Sequence, residues 1–166
     1  MKEKHRVGIS EYATGTPPEV LITYGLGSCL GILLYDGRQR LGGLAHTLLP
    51  APRPGQAEAR PGKFVTSAIE MMLAELLERG AERPRLTAKI FGGATMFEGF
   101  GSDSEGVGVR NTRAARETLA GLGIPLLTED VGGHHGRTVE FELTSGIVLV
   151  RSVRGGDIVT HFDLTG

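Results

Sequence analysis

Short apolar runs broken by glycines and polar turns constrain this chain more than any other feature. Val20 to Tyr24 is β-branched and aromatic, and Gly25-Leu26-Gly27-Ser28-Cys29-Leu30-Gly31 interrupts it. Ile32-Leu33-Leu34-Tyr35 resumes the apolar pattern, Asp36-Gly37-Arg38-Gln39 makes a turn, and Leu41 to Leu49 returns. Asp-Gly between two apolar runs is a strong hairpin signal, so this region reads as strands joined by tight turns. The 166 residues include 26 glycines, about twice the usual share of roughly 7%. They are not periodic, which excludes a collagen-type helix. Many stand as doublets between apolar runs, where backbone must turn or come close to another group.

The rest of the chain supplies two helices and more strands. From Lys63 to Arg79, Phe64, Val65, Ala68, Ile69, Met72, Leu73, Leu76 and Leu77 recur at the helical period on one face, with Gly80 at the C-cap. Leu86 to Phe91 reads as a strand running into Gly92-Gly93-Ala94. Asn111 is expected to cap a second helix reaching about Ala120, ended by Gly121 or Gly123. Pro125–Val131, Thr138–Leu143 and Ile147–Val153 read as strands, the last two joined by a Thr144-Ser145-Gly146 turn. Pro50–Gly62 and Phe97–Gly108 read as loops.

With hairpins at both ends and no regular β-α-β alternation, the expected class is α+β. Two helices cannot cover both faces of a large sheet. The architecture that follows is a layered α/β/β sandwich of largely antiparallel sheets, with the two helices on one side. The length fits a single domain spanning 1–166.

Composition removes several functions. The 18 Lys+Arg and 19 Asp+Glu leave a net charge of -1, without the basic excess of a nucleic-acid binder. There is no Trp, and the three Tyr and six Phe offer few stacking platforms. No aliphatic run exceeds about six residues, against the roughly 20 that a membrane span needs. The first twenty residues show no signal-peptide apolar region, so the expected location is cytoplasmic. One cysteine can form neither an internal disulfide nor a multi-thiolate zinc site. His134-His135 with His5 and His161 make no established ligand spacing, so neither metal nor cofactor is expected. Gly25-x-Gly27-x-x-x-Gly31 misses the dinucleotide-binding spacing by one residue.

That leaves Cys29 and His46. Gly27, Ser28 and Gly31 leave uncluttered backbone around the thiol, and free amides of Gly27 and Ser28 would suit an oxyanion. A loop over Asp36–Gln39 places Cys29 opposite His46 in the hairpin ladder, where Cβ atoms sit about 4.5–5.5 Å apart. A two-residue register shift would keep both on one face as diagonal neighbours, whereas a bulge would separate them. An adjacent imidazole is expected to lower the thiol pKa and to shuttle protons for a sulfur nucleophile. A third group would have to fix the ring. Thr23 has suitable hydroxyl chemistry, although a β-branched residue in a strand needs no such explanation.

Thr23-x-Gly25-Leu26-Gly27-Ser28-Cys29 and Gly42-Gly43-x-Ala45-His46-x-x-Leu49-Pro50 together resemble the CheD family of chemoreceptor glutamine deamidases. The likeness extends through Ala88-Lys89-Ile90-Phe91-Gly92-Gly93-Ala94, Gly108-x-Arg110-Asn111, Glu129-Asp130-Val131-Gly132-Gly133 and Gly136-Arg137. It implies Cys29 as nucleophile, His46 as base and acid, and Thr23 as the residue that orients the imidazole. It implies hydrolysis of glutamine side chains to glutamate on methyl-accepting chemotaxis receptors, with a methylesterase side activity as a corollary of the thioester route. It also implies a CheC-type phosphatase as a partner. The contrasting expectation is a non-catalytic adaptor that acts only by binding receptor and phosphatase.

Overall fold

A computed structural model describes residues 3–55, 60, 62–96, 106–154 and 156–165. Parts of the two expected loops, at 56–59, 61 and 97–105, lie outside the described residues. Among the described residues, ten strands fall in two five-stranded sheets. The first sheet holds β1 (Glu3–Arg6), β3 (Glu19–Leu26), β8 (Arg137–Glu142), β9 (Ile147–Arg151) and β10 (Ile158–His161), in that order. The second has the order β2 (Glu11–Gly15), β5 (Leu41–Thr47), β4 (Leu30–Asp36), β6 (Leu86–Gly92) and β7 (Leu126–Val131). Among these described strands, β1·β3 and β6·β7 pair in parallel and the other ladders are antiparallel.

Side-chain alternation divides the core into two layers. From β4, Leu30, Ile32 and Leu34 meet α1 (Val65–Glu78) and α2 (Val107–Leu122). Leu33 and Tyr35 point the other way, toward Leu21, Val139, Phe141 and Val148 of the first sheet. The stack is therefore helices, second sheet, first sheet, which is the expected α/β/β sandwich. Gly43 lets α1 lie close, since a Cβ there would meet the Met72 sulfur at 2.7 Å.

Both helices end in the same motif. The Ala81 N–H reaches the Leu76 carbonyl and the Gly80 N–H that of Leu77. Ile124 and Gly123 repeat this onto Leu119 and Ala120, with Gly123 left-handed at φ 72°. This six-to-one and five-to-two pairing satisfies the final carbonyls and calls for glycine at the turning residue.

Three expectations are corrected. The second helix begins at Val107 with Gly106 as its N-cap, so Asn111 is not a cap. It lies inside the helix, fully buried, with its amide facing the sheets. The β4–β5 turn runs over Gly37–Arg40, because Asp36 pairs with Leu41. The Asp36 carboxylate takes the Arg38 and Gln39 N–H groups and both a Nε and an Nη contact from Arg85. That fastening keeps Asp36 in the strand and moves the turn one residue along, so His46 pairs with Gly31, not Cys29. Finally, β1, β2 and β10 are strands that the pattern did not announce. All three are sheet edges, where short polar sequence is normal.

Candidate active site

The C-terminal ends of β3, β5 and β6 and the N-terminal ends of β4 and β8 gather at one end of the sandwich. Cys29 sits there, in the three-residue link between β3 and β4. Its carbonyl accepts the Gly93 N–H at 2.9 Å, and the Gly27 carbonyl accepts that of Ala94 at 2.9 Å. Gly92 permits this approach, because a Cβ on it would stand 2.5 Å from the Cys29 oxygen. Asn111 Nδ2 holds the link from the helix side, donating to the Ser28 carbonyl at 3.0 Å and the Leu48 carbonyl at 3.2 Å.

The two-residue register shift leaves Cys29 and His46 on one face. Gly31 is opposite His46, and Cys29 lies two residues before Gly31, on the side that also holds Leu33, Leu44 and Phe91. The Cys29 and His46 side chains both belong to the layer between the sheets. The thiol is 8% exposed and the imidazole is fully buried.

Thr23, on the facing sheet, reaches across to the ring. Its Oγ1 lies 2.7 Å from His46 Nδ1 and donates to the Val7 carbonyl at 2.7 Å. A hydroxyl has one proton, and a carbonyl can only accept. The Thr23 proton therefore goes to Val7, and Oγ1 must accept the second bond, which requires a proton on Nδ1. His46 is held as the Nδ1–H tautomer, with its lone pair on Nε2. Nε2 is buried and without a hydrogen-bond partner in the described structure, so the resting thiol is not bonded to it. Such contacts are commonly longer in the free enzyme and tighten when substrate binds.

Electrostatics differ from the expected ion pair. Burial pushes the Cys29 thiol up from its ordinary value, with a smaller opposing effect from its own backbone N–H. Burial also pushes His46 down to about 4. The resting pair is a neutral thiol beside a neutral imidazole, because neither group has enough water to carry charge. A base of this kind takes the thiol proton as the sulfur attacks, instead of holding a thiolate beforehand.

Of the two amides expected to bind an oxyanion, the Gly27 N–H is already given to the Gly25 carbonyl at 3.0 Å. Among the described residues, the N–H groups of Ser28 and Cys29 donate to no backbone carbonyl. His134 is exposed and rests its Nδ1 on the Thr95 carbonyl. Among the described residues, no three His, Cys, Asp or Glu side chains converge in a way that could hold a metal.

Sequence reasoning missed several contributors. Val7 and Ser10 act through backbone atoms, Val7 accepting from Thr23 and Ser10 donating to the His46 carbonyl at 2.8 Å. No side-chain pattern signals such roles. Asn111 had a signal, a polar residue on the inward helical face beside Thr112 and Ala115, but its capping propensity pointed elsewhere.

The family model described as CheD chemotactic sensory transduction matches residues 48–152. A protein of Geobacter metallireducens named probable chemoreceptor glutamine deamidase CheD 2 is 53% identical over 150 residues, 89% of this chain and 93% of its own length. One from Pyrococcus abyssi, named probable chemoreceptor glutamine deamidase CheD, is 43% identical over 96% of this chain and 98% of its own length. A Moorella thermoacetica protein of the same name is 47% identical over 89% of this chain and 90% of its own. Among the described residues, no helix is long and apolar enough to cross a membrane.

Proposed function

The chain belongs to the CheD family, and from that premise we propose that it hydrolyses glutamine side chains of methyl-accepting chemotaxis receptors to glutamate. The observation that carries the mechanism is the proton count at Thr23, which leaves His46 Nε2 as a base on the face shared with Cys29. Nε2 takes the Cys29 proton as the sulfur bonds to the amide carbon, and the carbonyl becomes a tetrahedral oxyanion. The Ser28 and Cys29 amides support that oxyanion, where one well-placed donor is worth about 3 kcal/mol. The imidazolium then gives its proton to the departing nitrogen, and ammonia leaves a γ-glutamyl thioester. Nε2 next takes a proton from water as its oxygen attacks the thioester carbon. The thiolate leaves, recovers that proton, and glutamate is released.

Burial of the pair serves this sequence. A neutral resting state costs little to enclose, and charge appears only when an oxyanion forms beside fixed dipoles. The proposed steps draw on Cys29, His46, Thr23, backbone amides and water. A glutamate methyl ester would enter through the same thioester, losing methanol instead of ammonia, so receptor methylesterase activity is a side reaction of the same site. The working location is the cytoplasm, and a CheC-type phosphatase is a partner that competes with receptor for this end of the molecule.

Incubation of the protein with a receptor cytoplasmic fragment, followed by peptide mass spectrometry, tests the reading. Conversion of particular glutamines to glutamate with matching ammonia release is expected, and Cys29→Ala should abolish both while remaining folded. Unmodified receptor, or modification that survives Cys29→Ala, would leave a non-catalytic adaptor as the better description.

A further inference from the structure

The end of the sandwich that carries Cys29 also carries a basic groove that the hydrolytic steps do not use. It encloses about 620 Å³ and is lined by Gly25, His134, His135, Arg151, Arg154 and Asp157, with Arg137 beneath them in the fold. The Arg137 guanidinium is committed, donating to Asp130 at 3.0 Å and to the Gly92 carbonyl at 3.3 Å. Arg151 and Arg154 are exposed, and among the described residues neither is in an ion pair. Asp157 is the one carboxylate among the described residues of the lining.

The groove adjoins the nucleophile's link through a short run of bonds. Ala94 N–H donates to the Gly27 carbonyl, Thr95 N–H donates to the Gly133 carbonyl, and the His134 ring sits on the Thr95 carbonyl, each at 2.9 Å. Gly25, four residues before Cys29, has φ 70° and nothing within 4 Å of where a Cβ would be, so this edge is open backbone.

We propose that this groove binds an acidic segment of the substrate protein, next to the glutamine presented to Cys29. The inference rests on the deamidase reading for what the substrate is, and adds how it is chosen. Guanidinium groups without internal partners bind carboxylates through paired N–H donors, and a shallow, predominantly basic groove both steers and orients an oncoming chain. The occupant is polypeptide because the whole chain lacks the basic excess that polynucleotides demand. Each turnover replaces a neutral amide with a carboxylate, so a substrate bearing several neighbouring glutamines gains affinity for the groove as it is processed.

The test separates binding from chemistry by using folded Cys29→Ala protein and fluorescence anisotropy. One probe is an alanine-based helical peptide with a central glutamine and glutamates one turn to either side; the second replaces those glutamates with glutamines. The acidic peptide should bind about tenfold more tightly at low salt, with the preference shrinking as salt rises. Arg151→Glu with Arg154→Glu should erase the preference, and Asp157→Asn, a single surface change that keeps the test open should the double variant not fold, should widen it. Equal binding of the two peptides, a preference unmoved by these substitutions, or stronger competition by oligo-dT would overturn the proposal. Ammonia release by the wild-type protein is read separately. Release without acidic preference rejects the groove alone, and acidic preference without release rejects the deamidase reading alone.

Discussion

Thr23→Val replaces a hydroxyl by a methyl of nearly the same shape, so it removes two hydrogen bonds without opening a cavity. Both bonds are 2.7 Å and fully buried, and their loss strands the Nδ1–H of His46 and the Val7 carbonyl. A buried polar group left unpaired costs about 1–3 kcal/mol. Two such groups with partial relaxation give a stability loss of about 2–4 kcal/mol, or a Tm lower by roughly 4–16 °C in a chain of this length. The same oxygen biases the ring toward Nδ1–H, and losing about 1–3 kcal/mol of that bias lowers the fraction with a basic Nε2. Ammonia release should then fall about twofold from tautomer population alone, and further because the ring is no longer anchored for proton transfer, at temperatures where the variant is folded. Thr23→Ser keeps the oxygen and should recover most of the rate, even where its missing methyl lowers the Tm. A Thr23→Val protein that is destabilised yet turns over at the wild-type rate would refute the tautomer argument and leave Thr23 a packing residue.

Cys29 should react with iodoacetamide slowly at neutral pH, with the rate still climbing above pH 9 because burial holds the thiol proton; full labelling below pH 7 would show a pre-formed thiolate instead. His46 binds its proton near pH 4 when folded and near 6.5 when unfolded, so the unfolded chain carries more protons between those values. Stability from this group is complete above pH 6.5 and is lost as pH falls to about 4, by roughly 3 kcal/mol at most; His46→Gln should flatten that part of a denaturation-against-pH curve. Asn111→Ala frees the Ser28 and Leu48 carbonyls at once, and a cost of about 1–3 kcal/mol should appear with a fall in kcat larger than any rise in KM, since the link carrying the sulfur loses its brace; an unchanged kcat would contradict that role.

The layering was legible because it rests on side-chain period. The α1 face from Val65 to Leu76 and the alternation in β8 both report which way each residue points. The register error was two residues and side chains repeat every two residues, so it left His46 on the expected face of the sheet. What set the true turn was Arg85, 49 residues from Asp36 in sequence, a contact that no local signal carries. The resting charge state also escaped sequence reasoning. A thiol and an imidazole side by side suggest an ion pair in water, whereas enclosure between two sheets withdraws the solvent that would stabilise it. Thr23 could be suspected as the ring's partner, but the direction of its hydrogen bond depends on the Val7 carbonyl, a backbone group.

The protonation of one ring nitrogen decides whether this site works as described. Long-range proton–nitrogen NMR of His46 in the folded protein at neutral pH reads it directly. A protonated Nδ1 and an unprotonated Nε2 are expected in a ring that stays neutral well below pH 6.5, with the pattern disturbed by Thr23→Val. A proton on Nε2, or an imidazolium at neutral pH, would contradict it.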